Sequence, residues 1–305
     1  MSLDSGAARV DAAAYMKQWA ARVEETLDHL VPEDGGEPSE MFRIMRYSLF
    51  AGGKRLRPIL CVAGAEAVGG APDLVLPAAC ALECIHTYSL IHDDLPAMDD
   101  DDFRRGNPTS HKVFGEAAAI LGGDGLLTLA FELMTGERMA DSAGPERTME
   151  GVRILAEAAG ATGMVGGQLL DIRAGGKVSD PPELEEIHRR KTGAMIRASV
   201  YMGGLLGGGS PDEMSALARY GEKAGLAFQI VDDILDVEGD AELMGKSTGT
   251  DADQEKVTYP ALHGLDASKE MARRVTEEAI GALAAFEGGA PALAALARFI
   301  VLRRF

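Results

Sequence analysis

The sequence is poor in positive charge. Its 305 residues include 48 acidic and 30 basic side chains, which gives a formal net charge of −18 at pH 7. Nucleic acids and anionic membrane surfaces bind clustered positive charge, so this balance argues against both as partners. The negative net charge does not exclude small anionic substrates, because the local charge around a site decides whether they bind.

Cysteine is scarce, and its spacing matches no zinc site. The three cysteines are Cys61, Cys80 and Cys84, an odd count. Cys80 and Cys84 stand in an apolar run, where reduced and buried thiols are common. Reduced thiols are typical of the cytoplasm, which is the predicted location.

Uncharged apolar stretches are short. None reaches the ~18 residues that a membrane-spanning helix requires, so no span is predicted. The N-terminus, Met1 to Asp4, lacks the basic region and the apolar region of a signal peptide.

Alternating strand patterns are also missing, whereas helical periodicity runs through most of the chain. Ser210, Pro211 and Glu213 form the pattern of a capping box at one helix start. The predicted helices cover residues 8–31, 40–50, 57–68, 73–95, 110–140, 147–170, 183–206, 211–237, 257–286 with breaks, and 292–303. No long polar linker divides the chain, so we predict a single all-α domain over residues 1–305.

Two acidic clusters each follow a strongly apolar run. They contain Asp93, Asp94 and Asp99 in the first and Asp232, Asp233 and Asp236 in the second. One such cluster is also typical of a solvated helix end, but two that each follow an apolar run favour a function. Dense carboxylates repel one another and are unfavourable at helix C-termini, so they need cations. Mg²⁺ takes oxygen ligands and leaves positions for phosphate, which indicates a site that closes on a polyphosphate.

The first cluster needs a turn to bring its aspartates together. Asp99 follows Asp93 by six residues, so the two do not share a face of a regular helix. Pro96 lacks an N–H and clashes with the preceding turn, so the helix should end near Leu95. A turn through residues 96–98 then returns Asp99 to the side of Asp93.

Basic residues concentrate in two short segments. Gly52 to Arg57 carries three cations at a predicted helix start, where exposed N–H groups attract anions. Arg104 and Arg105 directly follow the first acidic cluster, and simple neutralisation of those acids is an alternative role for them. The remaining candidates stand alone and by themselves would be solvated or core residues: His86, Lys191, Lys246 and Lys256.

In their order along the chain, these motifs resemble those of the trans-isoprenyl diphosphate synthases, and most of all the bacterial farnesyl diphosphate synthases. The segments are GGKRLRP (52–58), IHDDLPAMDDDDFRRG (91–106), GGQLLD (166–171), KTG (191–193), FQIVDDILD (228–236) and GK (245–246). The resemblance implies an all-α helical bundle around a deep central cavity, usually a homodimer, with the acidic motifs facing each other across its mouth.

The resemblance also implies individual roles. The metal ligands for three Mg²⁺ ions, or Mn²⁺ as a substitute, would be Asp93, Asp94, Asp99, Asp232, Asp233 and Asp236. The allylic diphosphate would contact Arg104, Lys191 and Lys246. Isopentenyl diphosphate would contact Lys54, Arg57, His86 and Arg105, and Lys256 is a further substrate-binding candidate. Thr192 and Gln229 would lie near the developing carbocation, and Gln168 and Asp171 would line the cavity near the metals.

The implied reaction is the head-to-tail condensation of isopentenyl diphosphate with dimethylallyl or geranyl diphosphate through Mg²⁺-assisted ionisation. The residue expected to limit product length is Tyr88, which lies five residues before Asp93 and ~7.5 Å along the helix axis. An ordinary core tyrosine is the alternative interpretation of this position. Ser89 beside it is small. In the bacterial farnesyl type, an aromatic residue here and a two-residue insertion in the first motif accompany a C15 product. We therefore predict farnesyl diphosphate, with C20 geranylgeranyl diphosphate as the alternative.

Three other classes of protein remain open. A terpene cyclase also ionises an isoprenyl diphosphate, but it usually combines one acidic motif with an Asn/Ser/Glu metal site. A non-catalytic subunit of a heteromeric synthase typically loses aspartates from one motif. An acid-rich helical scaffold would not need the ordered set of motifs. Both acidic motifs are complete in this chain, which favours the catalytic synthase.

Overall fold

The fold is almost entirely helical, as predicted. The computed structural model describes residues 10–33, 38–175, 181–238 and 258–301. The α-helices in these ranges are α1 (Ala12–Leu30), α2 (Ser39–Leu49), α3 (Leu56–Ala67), α4 (Leu76–Asp93), α5 (Ser110–Phe114), α6 (Glu116–Thr135), α7 (Glu137–Ala143), α8 (Pro145–Ala159), α9 (Met164–Ala174), α10 (Pro181–His188), α11 (Ala194–Gly207), α12 (Pro211–Glu238), α13 (Tyr259–His263), α14 (Leu265–Ala282) and α15 (Pro291–Val301). A π-helical turn, Arg189–Gly193, joins α10 to α11.

Two of the predicted helices are divided in the structure. The stretch 110–140 forms α5, α6 and α7, and the stretch 147–170 forms α8 and α9. Gly115 separates α5 from α6 with φ 87° and ψ 158°, which glycine adopts without a steric penalty. Apolar periodicity indicates which face is buried and carries no information on whether the backbone hydrogen bonds are continuous, so it does not detect these breaks.

A short antiparallel hairpin follows the first acidic cluster, and the sequence pattern does not predict it. Strand β1 (Phe103–Arg104) pairs with β2 (Asn107–Pro108). The two linking residues, Arg105 and Gly106, have φ values of 54° and 81°. Two consecutive positive φ values are typical of a type I′ turn. Strands of two residues are too short to show alternation.

The core is built around α4. This helix is buried along nearly its whole length, and it packs against α3, α6 and α11. Helix α11 in turn packs on α3 and α12. At the start of α12 the predicted capping box is present, because Ser210 N donates to Glu213 Oε2 at 2.7 Å and Glu213 N donates to Ser210 Oγ at 3.4 Å. The far half of α12 belongs to a second, smaller apolar cluster with α13 and α14.

Two helical stretches are long and apolar enough to cross a membrane by length and composition alone. In Pro72–Asp93, which is α4 with its preceding 3₁₀ turn, 78% of the apolar window is buried inside the fold. In Glu116–Thr135 the buried share is 39%, and Ile120 and Leu121 on this helix are 42% and 53% exposed. The first stretch is therefore a core helix, and α6 presents an apolar surface.

Candidate active site

The first acidic cluster is a turn at the end of α4. The helix ends at Asp93, and Asp99 N donates to Asp93 O at 2.9 Å. Met98 N closes the turn on Leu95 O at 2.8 Å. Pro96 stands at the point where the helix stops, which is the position expected for a residue without an N–H. The turn thus brings Asp99 back to Asp93, as the sequence predicts.

Burial makes the carboxyl group of Asp93 a weaker acid than an exposed aspartic acid. Burial raises the pKa of Asp93 to about 6, Lys191 lowers it, and the neighbouring charge of Asp99 raises it again. Gln168 Nε2 donates to Asp93 Oδ1 at 2.9 Å, so α9 reaches the end of α4 at this point. A carboxylate held in this way is stabilised by a cation.

The hairpin sends its two arginines to different places. Arg104 Nε donates to Asp94 Oδ1 at 2.6 Å, and this hydrogen bond opposes the rise in the pKa of Asp94 that burial causes. Arg105 instead donates to Gly52 O, in the loop before α3. The type I′ turn therefore places one cation at the acidic cluster and the other at the glycine-rich loop.

A second group of cations surrounds His86. Burial lowers the pKa of His86 well below its usual value, and the positive charges of Arg57, Arg105, Arg104 and Arg55 lower it further. Among the described residues, the buried Nε of Arg57 has no hydrogen-bond partner. The positive charges of four arginines therefore act on one neutral imidazole, which indicates an environment that attracts anions.

Lys191 occupies the π-helical turn. Its Nζ lies 2.6 Å from Asp171 Oδ2, one helical turn beyond Gln168 on α9. Burial lowers the pKa of Lys191, but the charges of Asp171 and Asp93 raise it overall. A Cβ at Gly167 would lie 2.2 Å from Lys191 N, so only glycine permits this approach of α9 to the turn. π-helical turns occur frequently at functional sites.

Helix α12 carries the second acidic cluster. Asp233 and Asp236 are buried, and Asp232 is partly buried. Asp233 Oδ2 accepts a hydrogen bond from Tyr259 N at 2.9 Å, so this carboxylate also holds the start of α13. The charge of Asp232 raises the pKa of Arg57, against the larger lowering by burial. The second cluster is therefore within electrostatic reach of the cations around His86.

Helix α12 approaches the π-helical turn at a pair of glycines. A Cβ at Gly225 would lie 3.0 Å from the Cα of Gly193. Gln229 is four residues after Gly225 and lies on the same face of α12. The side of α12 that carries Gln229 thus faces the turn that carries Thr192.

Tyr88 lies beneath the first cluster on α4. It is 6% exposed, and its ring packs edge-on against His92 with 5.7 Å between centroids. His92 Nε2 lies 3.0 Å from Ile120 O of α6, and a Cβ at Gly123 would lie 2.2 Å from the same nitrogen. Ser89 Oγ donates to His86 O at 2.8 Å, within its own helix. The ring of Tyr88 therefore packs on His92, and His92 in turn contacts α6.

Three predicted substrate-binding lysines remain. Lys54 is exposed at the loop before α3. Lys246 and Lys256 lie outside the described residues.

Comparison with known proteins identifies the family of the chain. Residues 38–289 match the polyprenyl synthetase family. The chain belongs to this family.

Relatives with different products are similarly close. The chain is 48% identical over 263 residues to a farnesyl diphosphate synthase from Geobacillus stearothermophilus, which covers 86% of this chain and 88% of that protein. It is 46% identical over 298 residues to the chloroplastic heterodimeric geranylgeranyl pyrophosphate synthase large subunit 1 of Arabidopsis thaliana, with 96% and 80% covered. Geranylgeranyl diphosphate synthases recur among other relatives. A solved FPP/GFPP synthase from Zymomonas mobilis matches with a TM-score of 0.84 at 35% identity, over 95% of this chain and 98% of that one.

Polyprenyl synthetases are trans-prenyltransferases that use isopentenyl and allylic diphosphates with a divalent metal. The donors in this member fit a hard cation, because they are carboxylate oxygens in a buried, mutually repelling group. Within the described ranges, no three acidic, histidine or cysteine side chains converge closely enough to hold an ion alone. Oxygen atoms of a bound diphosphate would complete the coordination.

Glu83 near this site was not predicted from the sequence, and Arg55, counted there among the cations of the Gly52–Arg57 segment, pairs with it. Arg55 is 2% exposed and Glu83 is 1% exposed, and they form an ion pair. Glu83 had a visible signal, since it is the only charged residue of α4 before His86 and interrupts an otherwise apolar run. A buried charge requires a partner, but the sequence does not say which arginine supplies it.

Proposed function

We propose that this prenyltransferase is a farnesyl diphosphate synthase. It would condense isopentenyl diphosphate with dimethylallyl and then geranyl diphosphate, and it would stop at C15. The observation that carries the proposal is the buried ring of Tyr88 one and a half turns below Asp93, held against His92. A growing chain that extends from the acidic clusters along α4 meets this ring.

The residue roles follow the two regions of charge. We assign metal binding to Asp93, Asp94, Asp99, Asp232, Asp233 and Asp236. We assign the allylic diphosphate to Arg104 and Lys191 together with Lys246, and isopentenyl diphosphate to Lys54, Arg57, His86 and Arg105. Lys256 is a further substrate-binding residue in this proposal. The separate directions of Arg104 and Arg105 support two neighbouring diphosphate sites.

The chemistry suits these residue types. Ionisation of the allylic C–O bond leaves a delocalised cation and a pyrophosphate with an additional negative charge. Bound Mg²⁺ supplies Lewis-acid stabilisation of that charge. Arg104 and Lys191, which pair with Asp94 and Asp171 in this structure, would supply positive charge where that negative charge develops. Thr192 and Gln229 face the cation, and the departing pyrophosphate accepts the proton that the isopentenyl group loses.

A C20 product is the second candidate. Its support is the recurrence of geranylgeranyl diphosphate synthases among the similar relatives. The position of Tyr88 favours C15, because it places an aromatic ring directly beneath the first cluster.

We also propose a homodimer in the cytoplasm. The apolar surface of α6, which includes Ile120 and Leu121, supports burial against a second copy. The three cysteines are free and buried, which supports a reducing compartment.

The test is prenyl transfer from defined substrates. Purified protein is incubated with Mg²⁺, radiolabelled isopentenyl diphosphate and geranyl diphosphate, and the products are dephosphorylated and separated by chain length. We expect a C15 product that EDTA abolishes. A C20 product selects the alternative, and a cyclic hydrocarbon from the allylic substrate alone selects a cyclase.

Variants of the two clusters test the metal assignment. Asp93→Asn and Asp232→Asn should each lower turnover by about 10²-fold or more, since each removes a carboxylate that would hold Mg²⁺, whose positive charge stabilises the transition state. Asp141→Asn, an exposed carboxylate on α7, is the matched control and should leave turnover unchanged. Near-normal turnover of both cluster variants at saturating Mg²⁺ contradicts the assignment.

A further inference from the structure

A buried ion pair lies beside the cations around His86. Arg55 Nη1 is 2.7 Å from Glu83 Oε1, and the two side chains are 0% and 2% exposed. The same guanidinium donates to Leu49 O at 2.7 Å and lies 3.2 Å from Glu24 Oε1. Arg55 therefore ties α1, the end of α2 and the middle of α4 to the start of α3.

The backbone of Arg55 depends on these contacts. Arg55 is the residue before α3, and it has φ 50° and ψ 34°, in the left-handed region. A residue with a Cβ is strained in this conformation and keeps it only where the surroundings hold it. The conformation turns the chain between Lys54 and Arg57, so the pair with Glu83 helps to fix where both cations lie.

The influence of Glu83 extends to Arg57 and Arg105. Its charge raises the pKa of each, against the larger lowering that burial causes. Arg105 donates to Gly52 O, and its guanidinium would lie 2.6 Å from a Cβ at Gly53. The loop before α3 therefore forms part of the support of Arg105.

We propose that Glu83 is a positioning residue for the isopentenyl diphosphate site. Through Arg55 it holds the Gly52–Arg57 loop, and through that loop it holds Arg105, in the arrangement that receives the diphosphate. This inference rests on the proposed function. It makes a prediction opposite in sign to simple electrostatics, because removal of a carboxylate near an anion site should by Coulomb's law alone tighten binding.

The test is Glu83→Gln, with isopentenyl and allylic diphosphates varied separately in steady-state kinetics. We expect the KM for isopentenyl diphosphate to rise about tenfold or more, since small displacements of binding groups have effects of this size. The KM for the allylic diphosphate should not change. Glu66→Gln is the matched control, because Glu66 is a partly buried carboxylate of α3 that accepts from Tyr15 Oη at 2.6 Å. It should change neither KM.

The kinetic pattern separates a positioning role from a loss of folded protein. Poor folding of Glu83→Gln lowers the maximal rate for both substrates and leaves the KM values as they are. Arg55→Gln and the double variant complete a cycle, and a route through Arg55 requires the double variant to match the single ones in KM. If the KM increases of the two single variants multiply in the double variant, the route through Arg55 is contradicted. An unchanged or lower KM in folded Glu83→Gln overturns the inference, whereas a wild-type protein without prenyl transfer overturns the proposed function itself.

Discussion

Replacement of Tyr88 tests whether its ring ends the growing chain. The ring is 6% exposed and packs on His92 with 5.7 Å between centroids. The next residues toward the N-terminus of α4 on this side are Ile85 and Cys84, both fully buried. They lie three and four residues deeper, so removal of the phenol opens about 4.5–6 Å along the helix axis.

The replacement also has a cost in stability. Removal of a buried aromatic side chain to alanine destabilises a protein by about 3–5 kcal/mol, so Tyr88→Leu accompanies Tyr88→Ala as a milder change. Tyr220 is the matched control, because it is fully buried on α12 and its hydroxyl donates to Leu293 O at 2.8 Å. Tyr220→Leu makes a comparable cavity in a different part of the core.

The assay separates dephosphorylated products after incubation with isopentenyl and geranyl diphosphates. Tyr88→Ala and Tyr88→Leu should move the main product from C15 to C20 or longer, and Tyr220→Leu should keep C15. An unchanged C15 product in Tyr88→Ala, at a turnover near that of the wild type, refutes the view that this ring is the floor.

Two further changes probe the same region. Gly123→Ala places a Cβ 2.2 Å from His92 Nε2, so it should displace the His92 ring and with it the ring of Tyr88. Part of the product should then be longer than C15. Gly281→Ala is the control, because its Cβ meets nothing within 4 Å, and it should leave the product length unchanged. Burial raises the pKa of Asp93 from 3.8 to about 6, so its contribution to stability is present below pH 3.8 and is lost as the pH rises through 6. In EDTA the Tm should therefore fall between about pH 4 and pH 6, and Asp93→Asn should reduce this fall. An equal fall in the variant assigns it to other groups.

Local signals predict part of the site. The proline at residue 96 determines where α4 stops, and the hydrogen bond from Asp99 N to Asp93 O is the turn that follows from it. The capping box at Ser210 and Glu213 is equally local, and it is present. Both features depend on residues within a few positions of one another, so they can be predicted from the local sequence.

Features that depend on distant residues escape such prediction. The pair of Arg55 with Glu83 joins residues 28 apart in the chain. From the sequence alone, Arg57, Arg104 and Arg105 are equally possible partners of Glu83. The division of residues 110–140 at Gly115 was missed because the apolar period continues on both sides of it. The hairpin at Arg105 was missed because its strands are only two residues long.

The π-helical turn has a consequence for how the length of this chain can change. From Pro181 to Gly207 the backbone is a single rod of α10, the turn and α11, and the wide turn accommodates more residues than an α-helical one. Deletion of one residue within Arg189–Gly193 would therefore restore an α-helix and leave α10 and α11 in nearly the same angular relation, because the wide turn places one extra residue in a single rotation. A deletion inside α10 or α11 would instead rotate the two ends of the rod by about 100° relative to each other. The rod therefore tolerates the loss of a residue at the π-helical turn more readily than elsewhere, at the expense of the geometry that holds Lys191 against Asp171.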